Sequence, residues 1–227
     1  MFSRLEMLIG EEQIQCLKNK KVIIFGVGGV GGYVVEALVR SGIEHITIVD
    51  NDKVSLSNLN RQIIATQETV GRKKVEVMKE RIMSINPNCH VNSIEMFYLP
   101  ENADEIHLKE YDYVIDAIDT ITSKIELAVR CERNHISLIS SMGTGNKMNP
   151  AMLEVSDIYK TSVCPVAKVM RRELKKRQVK HLKVIYSKEL PIKVMQEGRK
   201  TTPGSNAFVP ASAGLLIASE VIKDFIQ

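Results

Sequence analysis

A phosphate-binding turn is spelled out early in the chain: Gly26-Val27-Gly28-Gly29-Val30-Gly31 has the pattern G-x-G-x-x-G, with an apolar run before it and a helical pattern after it. Gly26, Gly28, Gly29 and Gly31 permit a tight turn and close backbone approach, and free N–H groups at the start of the following helix favour an anion. Asp50 follows Gly31 by 19 residues, near the roughly 20 expected of a carboxylate that binds ribose hydroxyls. These two features alone would suit a nicotinamide-dependent dehydrogenase. The next segment argues otherwise. Asp50 through Gln62 gathers Asp52, Asn58 and Arg61 in one loop, and Lys74 stands 13 residues beyond Arg61. A hydride donor's pyrophosphate does not react and needs no such convergence of cations. An α-phosphate under attack does, because the transition state and the departing pyrophosphate both require Arg or Lys clamps. Asp119 closes the run Asp116-Ala117-Ile118-Asp119 at the carboxyl end of an expected strand, the edge where open α/β sheets hold ligands. A carboxylate there suits Mg2+, a hard cation that takes carboxylate and phosphate oxygens, and it would also serve as a helix N-cap.

Such groups need a scaffold that brings them to one edge, and the hydrophobic pattern predicts it. Lys21 to Phe25 (KVIIF) is a β-branched and aromatic run of the kind found in parallel strands buried on both faces. Tyr33 to Arg40 reads as a helix stopped at Ser41-Gly42 by a left-handed glycine cap. His45 to Val49 is a second buried strand, and Val70 to Ile85 a helix with Val75, Met78 and Ile82 on one face, stopped by Asn86-Pro87. Strands are expected over Val91 to Phe97, Tyr113 to Ile118 and Ile136 to Ser140, with a helix over Ser123 to Asn134. A short amphipathic helix over Glu11 to Asn19 turns Ile14 and Leu17 inward. The alternation predicts an α/β fold with a doubly wound, mostly parallel, Rossmann-like sheet. Beyond Gly143 the pattern changes: strands over Met152 to Val155 and Leu182 to Tyr186 flank a basic helix, and Ala211 to Ile226 closes the fold as a helix. Leu190 to Asn206, with two prolines, two glycines and no periodicity, is expected to be a mobile loop. With no repeat and no interdomain linker, the chain reads as one domain over 1–227, its nucleotide-binding part about 1–143 and its substrate part about 144–227.

Composition narrows the class. Over 227 residues, 44% hydrophobic and 26% charged content excludes disorder and collagen-like architecture. No apolar run reaches the roughly 18 residues of a membrane span. No basic region precedes an apolar one at the N-terminus, so a cytoplasmic protein is expected. The four cysteines, Cys16, Cys89, Cys131 and Cys164, form no C-x-x-C pair, so neither zinc nor a disulfide framework is expected. The net charge of +4 is concentrated between Lys168 and Lys183, where eight cations face the single carboxylate of Glu173. Such a segment is either the solvated face of a helix or a local field for a polyanion.

Taken together, G-x-G-G-x-G, D-x-D-x-V-x-x-S-N-x-x-R-Q, a lysine and D-x-x-D resemble the ThiF/MoeB/ubiquitin-activating superfamily, over about Arg4 to Gly143. Its members adenylate carboxylates with ATP and Mg2+. The resemblance implies that Asp50 binds ribose, that Asn58, Arg61 and Lys74 meet the triphosphate, and that Asp119 holds Mg2+. It also implies a homodimer in which Arg4 reaches into the neighbouring site, although a surface salt bridge explains a lone arginine equally well. Ser141 to Pro150, Val155 to Thr161 and Val184 to Ser187 are similar to the tRNA threonylcarbamoyladenosine dehydratases, a resemblance that spans nearly the whole chain. That family activates the free carboxylate of the modified base as an acyl-adenylate, and the side chain then cyclises with loss of AMP. The resemblance leaves room for a sulfur-relay protein partner. It implies no protein nucleophile, and Cys164, which with Pro165 replaces the Asp-Pro of many members, reads as a structural cysteine. The chain stops at Gln227 without the tail of some members, so membrane attachment through such a tail is not expected. With a tRNA substrate, Lys168, Arg171, Arg172, Lys175 and Lys176 would grip the anticodon stem. Lys160 and Arg61 would approach the reacting carboxylate, and Tyr159, Tyr186 and Phe208 would be available for stacking. The alternative is activation of the C-terminal Gly-Gly of a ubiquitin-like sulfur carrier, a branch that usually carries the two zinc knuckles lacking here.

Overall fold

Val22, Ile23, Ile24 and Phe25 are all fully buried, and that continuous apolar run makes Lys21–Phe25 the central strand, β1, covered on both faces. The computed structural model describes residues 1–193 and 203–227. In it β1 pairs in parallel with β2 (His45–Val49) on one side and β4 (Tyr113–Asp116) on the other. β3 (His90–Ile94), β5 (Leu138–Ser141), β6 (Leu153–Asp157) and β7 (Lys183–Ser187) complete one sheet of order β3-β2-β1-β4-β5-β7-β6. Every pairing is parallel except that of β6 with β7. Strand order reverses between β1 and β4, and this switch point opens a crevice at their carboxyl ends.

Successive side chains of a strand point to opposite faces, so β1 feeds two cores. Val22 and Ile24 pack with α2 (Glu11–Asn19), α3 (Gly31–Arg40), α4 (Lys74–Ile85) and α7 (Val209–Ile226). Ile23 and Phe25 pack with Leu127 and Cys131 of α5 (Ile121–Asn134). Further along that face, Val184 and Tyr186 of β7 cover the apolar side of α6 (Pro165–Lys176). The expected doubly wound sheet is thus the observed one.

Several boundaries differ from the sequence reading. The helix expected from Val70 begins only at Lys74, because residues 70–73 fold back on the preceding loop. There the Gly71 N–H donates to the Val54 carbonyl, and the Val54 N–H to that of Arg72. The third and fourth strands stop at Ile94 and Asp116, where the chain turns to line the crevice. The basic helix is shorter than the charged segment, and the strand expected over Leu182 to Tyr186 is present as β7. α6 ends at Lys176, Gln178 adopts a left-handed φ of +59°, and Lys183 lies in β7, paired with Asp224 at 2.7 Å. An unanticipated helix, α1 (Ser3–Ile9), buries none of its residues and leaves Met7 and Leu8 about 80% exposed, so no inward apolar face announced it. Of the expected mobile loop, residues 194–202 lie outside the described residues.

Candidate active site

The crevice is a cavity of about 670 Å³, and the glycine turn forms its floor. Gly26 has φ +89°, and a Cβ there would lie 2.7 Å from the Ala117 carbonyl oxygen. A Cβ on Gly31 would lie 1.8 Å from the Gly26 oxygen, so neither position tolerates a side chain. The turn leads into the first turn of α3, where the N–H groups of Gly32, Tyr33 and Val34 donate back to the Gly28 and Val30 carbonyls.

Asp50 follows β2 and ties this turn to the next loop. One carboxylate oxygen accepts the Val27 N–H at 2.7 Å, and the other accepts the Asp52 N–H at 2.8 Å. Beyond it, Ser55 caps the short turn Leu56–Asn58, where the Asn58 side-chain oxygen accepts the Ser55 N–H at 3.0 Å. That turn aims Arg61. Its Nη1 donates to the Ser57 carbonyl at 2.7 Å and to Asn60 at 3.0 Å. Lys74 opens α4, buried, with Nζ 2.7 Å from Asp52 and 4.0 Å from Asp50. Asp119 stands exposed on the opposite rim, its carboxylate without a hydrogen bond among the described residues. The adjacent N-cap of α5 is Thr120, not Asp119. Gly26, Gly28, Gly29, Asp50, Asp52, Asn58, Arg61, Lys74 and Asp119 therefore line one cavity, while Gly31 does not line it and packs against Gly26 and Ala117.

The structure does not bring the remaining predicted residues there. Arg4 lies exposed on α1 and does not line the cavity. Lys160 and the α6 cations lie outside it too, although Cys164, Pro165 and Val166, where α6 begins, form part of its wall. The α6 cations are also unequal. Arg172, Lys176 and Arg177 surround Glu173, and their hydrogen bonds pull its carboxyl down to about 2. Arg171 donates to the Thr161 carbonyl at 3.0 Å and is only half-exposed. Lys160, Lys168 and Lys175 are exposed and have no acidic partner among the described residues. Two expected stacking platforms are committed elsewhere. Tyr186 is 2% exposed with its hydroxyl on Glu154, and the Tyr159 hydroxyl donates to the Val179 carbonyl. Phe208 remains exposed.

Sequence reasoning missed four features of the cavity. Met96, Phe97 and Tyr98 form a wall beyond β3. Gln62, only 7% exposed, faces the cavity with its side-chain oxygen unpartnered. Lys147 is buried, its Nζ 2.7 Å from the Glu189 carbonyl, and burial lowers its pKa. Lys124, 2% exposed, pairs with buried Asp116 at 3.0 Å. Its register was legible: Lys124 shares the face of Leu127, Ala128 and Cys131, where a lysine among apolar residues signals a buried partner.

A crevice at the switch point, a glycine turn, two arranged acids and a cationic loop define a nucleotide-binding α/β protein of the adenylating kind. The ThiF family model matches residues 2–227, and the chain belongs to that family. It is 44% identical to the tRNA threonylcarbamoyladenosine dehydratase of Bacillus subtilis, over all of this chain and 94% of the relative. Among solved structures it resembles E. coli tRNA N6-threonylcarbamoyladenosine dehydratase in complex with AMP, with TM-score 0.91 and 35% identity over 99% of this chain and 93% of that one. The same E. coli enzyme in complex with ATP superposes with TM-score 0.89 at 34% identity, with the same coverage. A sulfur carrier protein adenylyltransferase of Thermus thermophilus is 37% identical, but over only 51% of this chain and 42% of its own.

Proposed function

We propose that this protein is an ATP-dependent tRNA threonylcarbamoyladenosine dehydratase. The observation that carries the reading is the extent of the likeness. Dehydratases match the chain end to end, whereas the sulfur carrier adenylyltransferase matches about half of it. The C-terminal part, which forms the second half of the cavity and the basic helix, belongs to the dehydratase likeness.

The cavity suits ATP as the consumed substrate. The Gln62 side chain reaches Gly28, its amide nitrogen 3.6 Å from where a Cβ would lie, and its buried oxygen has no partner among the described residues. Asp50 sits where a ribose hydroxyl can add to its two backbone bonds. Arg61 and Lys74 supply positive charge to the triphosphate, with Asn58 beside them. Asp119 is the carboxylate free to hold Mg2+, an ion bound through one or two carboxylates plus phosphate oxygens. When bound, it would neutralise charge on the departing pyrophosphate.

The reaction balances without a protein nucleophile. The substrate carboxylate attacks the α-phosphorus and pyrophosphate leaves. The carbamoyl group then attacks the activated carbonyl carbon, its C–O bond to AMP breaks, and one proton is released, for net loss of water. The chain positions the reactants and neutralises charge. Lys168 and Lys175, with Lys160, are free to meet tRNA phosphates. Arg171, Arg172 and Lys176 add to the field while partly engaged within the protein. The exposed apolar side chains of α1 support a homodimer in which Arg4 reaches the partner's cavity. A sulfur-relay partner would find Cys89, Cys131 and Cys164 buried. We read the compartment as the cytoplasm, where tRNA and ATP meet; among the described residues no helix is long and apolar enough to cross a membrane.

The test is pyrophosphate release from ATP and Mg2+ with tRNA that does or does not carry threonylcarbamoyladenosine. Release with the modified tRNA alone is expected. Release with a Gly-Gly-tailed carrier protein and with neither tRNA would replace this reading with the sulfur-carrier one.

A further inference from the structure

We infer that Lys124 is a positioning residue for adenylation, its single ammonium holding the Asp116–Asp119 turn and the end of β5 in fixed relation. The inference rests on the adenylating reading of the cavity. Lys124 Nζ lies 3.1 and 3.0 Å from the two carboxylate oxygens of Asp116, and it donates to the Ser141 carbonyl at 2.7 Å. Asp116 is filled in turn. One oxygen also accepts the Ile118 N–H at 3.2 Å, and the other accepts the Ser140 hydroxyl. Asp116 thus has no free oxygen for an ion and instead shapes the turn that presents Asp119.

The two strand ends joined here lead into different halves of the cavity. The Asp116 turn abuts the phosphate-binding turn, since Ala117 contacts the positions where Gly26 and Gly31 would carry a Cβ. Ser141 leads into Met142 to Lys147, which line the far half beside Cys164 and Val166. An attacking carboxylate in the far half must meet an α-phosphate above the near half, so their separation passes through the paired ends of β4 and β5, where Asp116 lies opposite Ser140 and Lys124 crosses to the Ser141 carbonyl. Stability alone does not account for the pair, because a buried ion pair is often no more stable than an apolar pair of the same volume. Geometry does account for it, since a misplacement of about 1 Å costs on the order of 10²-fold in rate.

Lys124→Met alone strands a buried carboxylate and tests folding as much as function. The informative variant is the double Asp116→Asn/Lys124→Met, which removes both charges and keeps the volume. Its thermal midpoint is expected within a few degrees of wild type, and its KM for ATP within about threefold. Its kcat for pyrophosphate release with the modified tRNA should fall about 10²-fold. A folded double variant with kcat within threefold of an active wild type overturns the inference alone. If the double variant does not fold, Lys124→Arg carries the test. It keeps the charge, but its planar fork cannot meet Asp116 and the Ser141 carbonyl from one nitrogen. A kcat at least tenfold lower at near-wild-type midpoint is expected, and an unchanged kcat overturns the inference. A wild-type protein silent toward the modified tRNA overturns the functional reading, and this inference with it.

Discussion

Arg61→Ala separates charge stabilisation from architecture. Two of the five guanidinium N–H groups are engaged, both on Nη1, with the Ser57 carbonyl and Asn60 at the protein surface. The other three, on Nε and Nη2, have no partner among the described residues, and Arg61 lines the cavity. Losing the two surface bonds should cost little, because substitutions away from the core stay within about 0.5 kcal/mol. Losing a preorganised donor to a developing phosphoryl charge costs about 2.7–4 kcal/mol, or 10²–10³-fold in kcat. The assay is steady-state pyrophosphate release with saturating modified tRNA, beside a thermal melt of the same preparation. Arg61→Lys should recover part of the loss, since it restores the charge without the fork. A kcat within tenfold of wild type would refute the placement of Arg61 at the triphosphate. A melting loss of many degrees would show that its surface bonds hold the loop and that the kinetic effect is secondary.

Other expectations follow from the same geometry. Lys168→Glu and Lys175→Glu, at cations with no acidic partner among the described residues, should weaken tRNA binding and flatten its salt dependence by about 0.7–0.9 in slope for each phosphate no longer neutralised. Filter binding across a salt series would check this, and unchanged slopes would move the RNA footprint elsewhere. Arg171→Glu should weaken binding less selectively and also lower the melting midpoint, because it frees the Thr161 carbonyl. Glu173→Gln releases Arg172, Lys176 and Arg177, so tRNA should bind more tightly and with a steeper salt slope. Because its folded pKa lies near 2, below the ordinary 4.5, any stabilisation from Glu173 is full above about 4.5 and is lost as pH falls through 2. A carboxyl NMR titration should find that midpoint, and a midpoint near 4.5 would show that the three cations do not hold it in solution. Asp119→Asn should raise the Mg2+ concentration needed for half-maximal activity by tenfold or more; an unchanged requirement would assign the ion to another group.

The chemistry was the more legible part of the sequence. A β-strand buried on both faces must read as KVIIF, and a turn with φ near +89° packed against a carbonyl must be glycine. Both signatures are local and short in range. Asp50 and Arg61 were legible together because one loop carries them, with Lys74 a short distance on at the start of α4. What escaped was what depends on a distant partner. α1 buries nothing, so no pattern marks it. Gln62 differs from any surface glutamine only once the cavity encloses it. Tyr186 looked available for stacking until β6 brought Glu154 to its hydroxyl.

By itself, then, the chain determined the alternation of strands and helices, the glycine turn, and the residue types a nucleotide needs, because backbone sterics and hydrophobic periodicity act over a few residues. The sequence singled out Asp119, but only tertiary structure decided what Asp116 of the same run does. Asp116 faces Lys124 across a buried contact, and Asp119 faces the cavity. It also decided which cations of the basic stretch are available: Lys183 is taken by Asp224, three others by Glu173, and Lys168 and Lys175 are left exposed. The physical reason is common to both. A charge's identity is written in the sequence, but its role depends on what lies within about 4 Å of it, and only folding brings that neighbour there.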